Sequence, residues 1–333
     1  MSYILLAVGL IFVVKGADLL IEGASKIARI LRVPAFIVGL FIVALGTSAP
    51  EATIGVVSGF QGTNLLTLGD VIGSNIVNIA VVMALTAMAV PLTIDSLVAK
   101  RELPISLVVQ AVLVLMLITG SSLSRLEGLV LLFGMLVFLG YVVAKSKAIL
   151  AKEEADTDFE EEVFEYIEDQ KVLSTIKGRG RKKDLPKSVV LLLIGLAALI
   201  GGANLSVVNA VHIAENLGWS QEFIGITIIA FGTSLPELVT CLMAVYKKED
   251  DIAVGNILGS NIINILLVLG VSSLINPILV DVVILYDVLV MFFITVVLMI
   301  PTLLRGRISR RWGFLMFGIY IVYLAFKISQ LGV

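Results

Sequence analysis

Apolar runs long enough to cross a lipid bilayer recur about ten times along this chain, separated by short polar breaks, and such runs have few ways to fold. Hydrocarbon offers no water to the backbone, so a spanning segment must satisfy its own N–H and C=O groups as a helix or join a closed barrel. The runs lie near 3–27, 34–59, 65–90, 103–120, 127–145, 188–213, 222–246, 252–275, 282–301 and 312–330. They are too long for barrel strands and lack a two-residue alternation. The fold class expected is an all-α polytopic membrane protein with ten transmembrane helices. Composition agrees, since 59% of the 333 residues are hydrophobic and only 15% are charged, far from soluble-domain usage. The first run continues through Lys15, Asp18 and Glu22 and matches a later internal segment, so it reads as helix one rather than a removable signal peptide.

Charge orients the spans. Counting loops alternately, one side carries Lys26, Arg29 and Arg32, then Lys100 and Arg101, then Lys247 and Lys248, then Arg305, Arg307, Arg310 and Arg311. The long central loop falls on that side too and adds ten Lys and Arg residues from Lys145 to Lys187, whereas the other side shows Arg125 and Lys327. By the positive-inside rule the central loop is cytoplasmic and both termini lie outside. A miscount by one span would scatter these charges over both faces.

The chain repeats itself. An offset of 186 aligns Glu51 with Glu237, Gly39 with Gly225, Ala44 with Ala230, Gly73 with Gly259, Asn78 with Asn264 and Pro91 with Pro277. It also pairs Gly16-Ala17-Asp18 with Gly202-Ala203-Asn204. About 14 of 40 positions are identical between the ungapped windows that start at Gly39 and Gly225, more than shared apolar composition provides. The expected organisation is a five-helix repeat over 1–147, a cytoplasmic linker over 148–186 and a second repeat over 187–333. An odd number of spans per unit sends the second copy into the membrane from the opposite face, giving two inverted five-helix repeats, an architecture typical of alternating-access transporters. The linker carries Glu153, Glu154, Asp156, Asp158 and Glu160 to Glu162, then basic residues from Arg179 to Lys183. A calcium-sensing or regulatory segment is one reading of it, and a solvated amphipathic helix followed by a basic tether is the plainer one.

Chemistry concentrates in two repeated motifs. The first is Gly46-Thr47-Ser48-Ala49-Pro50-Glu51 and Gly232-Thr233-Ser234-Leu235-Pro236-Glu237. A carboxylate deep in a membrane is costly and marks an ion path or a paired site. Thr and Glu stand four apart and Ser and Glu three apart, so all three share one helical face. Pro50 gives no N–H to the Gly46 carbonyl and Pro236 none to Gly232, which leaves carbonyl oxygens in need of a partner. Hard cations want such a mixture of carboxylates, hydroxyls and carbonyls, and two carboxylates balance one divalent ion. The second motif is Gly73-Ser74-Asn75-Ile76-Val77-Asn78 and Gly259-Ser260-Asn261-Ile262-Ile263-Asn264. Ser74 with Asn78 and Ser260 with Asn264 share a face and are candidate ligands, while Asn75 and Asn261 either bind ions or hold helices together. Elsewhere, Lys15, Asp18 and Glu22 have the spacing of a local ion pair or gating contact. Asp70 and its counterpart Asn256 sit near helix starts, where either could cap. Cys241 and His212, one of each in the chain, read as structural and exclude a disulfide or a zinc cluster.

On these blocks the chain resembles the calcium/cation antiporter superfamily and, within it, the prokaryotic sodium/calcium exchangers, over everything but the central loop. The resemblance implies helices two, three, seven and eight around the ions, with helices one and six sliding against that core. It implies that Glu51 and Glu237, with backbone oxygens of Thr47 and Thr233, bind Ca2+. Na+ would use the Ala44 and Ala230 carbonyls, Ser48, Ser234, Ser74 and Ser260, with Asn78 and the glutamates in the middle and Asn264 either contacting an ion or orienting the glutamates. Relatives that also move potassium often carry Asp where this chain has Asn264, so potassium independence is expected. The expected activity is electrogenic export of Ca2+ in exchange for Na+ by alternating access. A calcium/proton exchanger of the same superfamily is the alternative. An ion channel or an intramembrane hydrolase fits poorly, because the repeat is inverted and no nucleophile stands beside a base. No resident cofactor, nucleic acid or obligatory protein partner is implied; the partners expected are the two ions and the lipid bilayer.

Overall fold

The structure, a computed structural model, describes residues 1–94, 98–120, 122–164, 182–219, 224, 228 and 230–330. Its helices are α1 (Ser2–Leu31), α2 (Ala35–Thr47), α3 (Ala49–Gln61), α4 (Leu65–Ala89), α5 (Lys100–Thr119), α6 (Arg125–Phe164), α7 (Leu185–Asn216), α8 (Ala230–Thr233), α9 (Leu235–Tyr246), α10 (Asp250–Ile275), α11 (Val282–Arg305) and α12 (Arg310–Gln330). Eight of them are long and apolar enough to span a membrane, and the bent pair α2 and α3 makes a ninth span. The expected span over 222–246 is represented by α8 and the shorter apolar α9, and its first part lies outside the described residues. The all-α polytopic fold read from the hydropathy is the one observed. Of the linker, α6 continues through 148–164 as helix, while the basic tether lies mostly outside the described residues.

Structure repeats where sequence repeats. Subtracting 186 from Leu235, Asn264 and Ile278, which open α9, a π-helical stretch in α10 and a short strand, gives 49, 78 and 92, where the equivalent first-half elements begin. Four two-residue strands tie the halves together: β1 (Leu92–Thr93), β2 (Ser122–Leu123), β3 (Ile278–Leu279) and β4 (Arg307–Ile308). β1 pairs antiparallel with β4, with Leu92 opposite Ile308, and β2 pairs antiparallel with β3, with Leu123 opposite Ile278. Each half thus contributes one strand to each end of the molecule. The Arg310 guanidinium donates to the Ala89 carbonyl at the β1–β4 end (3.2 Å), and Arg125 donates to the Ile275 carbonyl at the β2–β3 end (3.3 Å). Loops grouped together by alternate counting are therefore neighbours in space.

Burial separates core from periphery. The most apolar stretches of α4 and α10 are 83% and 94% buried inside the protein, against 39% or less for the other six continuous spans. Leu10, Phe12, Phe133, Leu136 and Phe293, on these peripheral helices, are exposed as lipid-facing residues must be. α10 passes close to α2. A β-carbon on Gly255 would lie 2.4 Å from the Phe36 carbonyl oxygen, and one on Gly259 would lie 1.9 Å from that of Leu40, so the two helices meet backbone to backbone. α1 and α7 pack in the same way, since β-carbons on Gly16 and Gly195 would each lie 2.4 Å from a backbone nitrogen of the other helix.

The ionisable residues of helix one are paired differently from the sequence reading. Asp18 takes Lys247 from the α9–α10 turn (2.6 Å) and Glu22 takes Lys26 (2.6 Å), rather than either pairing with Lys15. Only tertiary packing brings the α9–α10 turn against α1, and Ser25 hydrogen-bonding Glu249 belongs to the same contact. Each half holds one further cluster of similar chemistry, though not at positions related by the offset of 186. Buried Glu102 on α5 accepts from Tyr141 (2.9 Å) and pairs with Lys145 on α6, while Asp287 on α11 accepts from Tyr323 (2.9 Å) and Lys327 (2.9 Å) on α12. Each acid joins a peripheral helix pair through a Tyr and a Lys four residues apart, as charges within a membrane require.

Overpacking the α2–α10 contact costs about 1–3 kcal/mol per forced group. Gly259→Ala is therefore expected to lower the midpoint of thermal unfolding in detergent by several degrees, while Gly140→Ala, where a β-carbon meets nothing within 4 Å, leaves it unchanged. Equal midpoints would reject the close crossing.

Candidate ion-binding site

The site grows from two broken helices. α2 ends at Thr47 and α3 begins at Ala49, with the two axes bent by 45°. Ser48 at the break has φ −81° and ψ 9°, and Ser234 between α8 and α9 has φ −85° and ψ 5°. Both are bridge-region conformations that interrupt an α-helix. Pro50 and Pro236 explain the breaks, because each withholds a backbone donor from the preceding turn while fitting the first turn of the next helix. Glu51 and Glu237 consequently stand in the first turns of α3 and α9, where unpaired N–H groups and the helix dipole favour negative charge. Both glutamates are completely buried.

Against these breaks lie α4 and α10, each widened by π-helical turns over Asn78–Met83 and Asn264–Leu269. Such turns leave backbone out of register with the α ladder and recur at functional sites. Asn75 donates to the Asn261 carbonyl (3.1 Å) and Asn261 donates to the Asn75 carbonyl (3.3 Å), so the two helices are joined reciprocally across the pseudo-twofold axis. Asn78 donates to the Asn261 side-chain oxygen (3.1 Å) and Asn264 to that of Asn75 (3.2 Å). Asn75 and Asn261 thus bridge the helices, and they also hold the Asn78 and Asn264 amides with their oxygens released to other partners.

The threonines and serines form a second symmetric set. Thr47 donates to the Asn256 side-chain oxygen (3.0 Å) and shares a hydroxyl contact with Ser260 (3.3 Å). Thr233 hydrogen-bonds Asp70 and meets the Ser74 hydroxyl at 3.3 Å. Ser260 donates to Glu237 Oε1 at 3.4 Å. Ser48 Oγ, both oxygens of Glu51, Asn78 Oδ1, Ser234 Oγ, Glu237 Oε2 and Asn264 Oδ1 are buried with no hydrogen-bond partner among the described residues. Buried polar oxygens are nearly always satisfied, so this collection marks a place where oxygen lone pairs are kept for something other than protein donors. Every acceptor among them is hard, and hydroxyls, amides and carboxylates together suit sodium or calcium.

The candidate residues chosen from the sequence are assembled around this core, with two qualifications. The Ala44 carbonyl already accepts the Ser48 amide (2.9 Å) and the Thr47 hydroxyl (3.3 Å), so a cation there would share or displace those donors. Ala230, its counterpart, heads α8. Neither Asp70 nor Asn256 caps a helix: both lie inside their helices, as hydrogen-bond acceptors for the site threonines. Cys241 lies behind Asn256, whose amide points at its sulfur (3.6 Å). The sequence reading leaves both residues outside the site; their match at the repeat offset is the signal that could have tied them to it, and their side-chain partners come from the other half of the chain.

The arrangement has known relatives. The sodium/calcium exchanger protein family matches residues 1–144 and 187–329. The sodium/calcium exchanger MaX1 of Methanosarcina acetivorans is 32% identical over 97% of both chains. A putative antiporter, CaxA of Alkalimonas amylolytica, is 38% identical over 278 residues, covering 84% of this chain and 82% of that one. Among solved structures, that of the sodium-calcium exchanger NCX_Mj soaked with sodium superposes with a TM-score of 0.81 at 29% identity, over 97% of this chain and 98% of that one. Since the family covers both halves of the repeat, with the broken helices and the asparagine bridge, the chain belongs to the sodium/calcium exchanger protein family and is an ion exchanger rather than an enzyme.

Proposed function

We propose that this antiporter of the sodium/calcium exchanger superfamily exports Ca2+ from the cell in exchange for Na+, by alternating access and without potassium. The observation that carries the reading is the set of buried, unpartnered oxygens at Ser48, Glu51, Asn78 and their counterparts Ser234, Glu237 and Asn264. Glu51 and Glu237, with the Thr47 and Thr233 backbone oxygens, hold Ca2+, whose double charge two carboxylates neutralise. Na+ ions occupy overlapping positions at Ser48, Ser74, Ser234 and Ser260, at the Ala44 and Ala230 carbonyls, and near Asn78 and Asn264. Shared ligands make occupancy by the two cations mutually exclusive, which couples the fluxes. The neutral amide of Asn264 adds no charge at that position for a co-transported potassium ion.

In this reading the halves 1–147 and 187–333 are inverted repeats joined by the cytoplasmic linker 148–186. Both termini lie outside the cell membrane, as the loop charges require. α1 and α7, in contact through glycine, slide together across the core and expose the site to one side at a time. Exchange of more than two Na+ per Ca2+ moves net charge, worth about 2.3 kcal/mol per charge per 100 mV, so an inside-negative potential drives Ca2+ out.

Uptake of radioactive calcium into sealed vesicles tests this directly. Sodium-loaded vesicles diluted into sodium-free buffer are expected to accumulate calcium, faster with an inside-positive potential, and a potassium gradient of equal size is expected to drive none. Uptake driven as well by a proton gradient favours the calcium/proton alternative. Glu51→Gln and Glu237→Gln are each expected to abolish uptake, and a fully active single variant removes the two-carboxylate site. In detergent, calcium at about 100 times its Kd should add about 2.7 kcal/mol of stability to the native protein, seen as a higher melting midpoint. Glu51→Gln should lose that gain; an undiminished shift would place the ion elsewhere.

A further inference from the structure

The hydrogen-bond scaffold of the site is symmetric in geometry and asymmetric in charge. Thr47 donates to Asn256, and its counterpart Thr233 bonds Asp70, so the same structural role is filled by an amide in one half and a carboxylate in the other. An amide oxygen suffices as acceptor, as Asn256 demonstrates, and the extra negative charge at Asp70 is therefore not needed to hold Thr233. It is also costly: Asp70 Oδ2 is enclosed and has no hydrogen-bond partner among the described residues. An unpaired carboxylate within a span marks an ion path by default.

Asn256 is completely buried, whereas Asp70 is partly exposed. Asp70 also precedes Ser74 by four residues on α4, which puts it about 6 Å nearer the β2–β3 end than the serine. Among the described residues, no three Asp, Glu, His and Cys side chains converge on a common metal position. Asp70 thus stands beside the two-glutamate centre rather than in it.

We propose that Asp70, with the Thr233 and Ser74 hydroxyls, forms a sodium-capture subsite on the β2–β3 side of the ion site, a subsite that the β1–β4 side lacks because Asn256 is neutral. One carboxylate with two hydroxyls balances a single positive charge with hard oxygens, which suits Na+ better than Ca2+. An ion arriving from the β2–β3 side meets a negative charge before it reaches the glutamates, whereas an ion arriving from the other side meets an amide. The exchanger then binds sodium more tightly from one face than from the other. This inference rests on the sodium-coupled reading above.

Vesicles of both orientations, assayed for sodium-dependent calcium movement, separate the two claims. Asp70→Asn keeps the acceptor for Thr233 and removes only the charge. It is expected to raise the sodium concentration for half-maximal exchange about tenfold on the β2–β3 side, with less than twofold change on the other. Asn256→Asp, which installs a charge on the opposite side, is expected to lower the half-maximal sodium concentration there. Wild-type protein without sodium-dependent exchange would overturn the functional reading itself. Wild-type exchange with an Asp70→Asn variant unchanged on the β2–β3 side, or shifted equally on both sides, would overturn the subsite alone. If Asp70→Asn fails to fold, Asn256→Asp decides by itself, and no change in its sidedness overturns the proposal.

Discussion

Two carboxylates enclosed within a membrane protein impose the central constraint on this structure. Glu51 and Glu237 are fully removed from solvent, and charge in such a place needs either a cation or a dense set of dipoles. The local fold supplies the dipoles. Each proline breaks its helix so that a new N-terminus begins just before the glutamate, where the helix dipole favours negative charge. The same break leaves Ser48 and Ser234 in bridge conformations with their hydroxyls unpartnered. A continuous helix would satisfy its own backbone; the broken one gives up backbone hydrogen bonds and leaves oxygens without protein partners among the described residues.

Breaking helices inside a membrane protein demands rigid support, which α4 and α10 provide. They are the most enclosed helices, and their asparagines reach across the pseudo-axis to each other's carbonyls. That exchange fixes the crossing and holds the Asn78 and Asn264 amides by their nitrogens, leaving the oxygens available. At the periphery, glycine brings α1 against α7 backbone to backbone. Elsewhere at the periphery, helix-pair anchors such as Glu102 with Tyr141 and Lys145 keep the remaining scaffold together.

Inverted repeats yield a site with near-twofold symmetry, yet transport between unlike compartments profits from asymmetry. In this chain the backbone and hydrogen-bond geometry keep the symmetry while charge breaks it. Asp70 stands where the other half has Asn256, and Lys247 with Asp18 closes α1 onto the core at the β1–β4 end, where the repeat offset places Gln61 and Asn204 at the opposite end. Neutral substitutions of charged positions differentiate two faces without disturbing the fold that duplication established.

The amino-acid sequence by itself determined the membrane class, because runs of about 20 apolar residues have only helical solutions. The repeat and the two glutamate motifs were also legible there, because an offset of 186 aligns them without a gap. The roles of Asn75 and Asn261 were not, since a side chain that glues helices and one that binds ions look the same along a chain. Nor could the sequence pair Asp18 with Lys247, or show that Asp70 answers Thr233: these partners lie 229 and 163 residues apart in sequence. Local periodicity reports which face of a helix a residue occupies. Which other helix fills that face, and which oxygens remain unpartnered once it has, is decided only when the two inverted halves pack together.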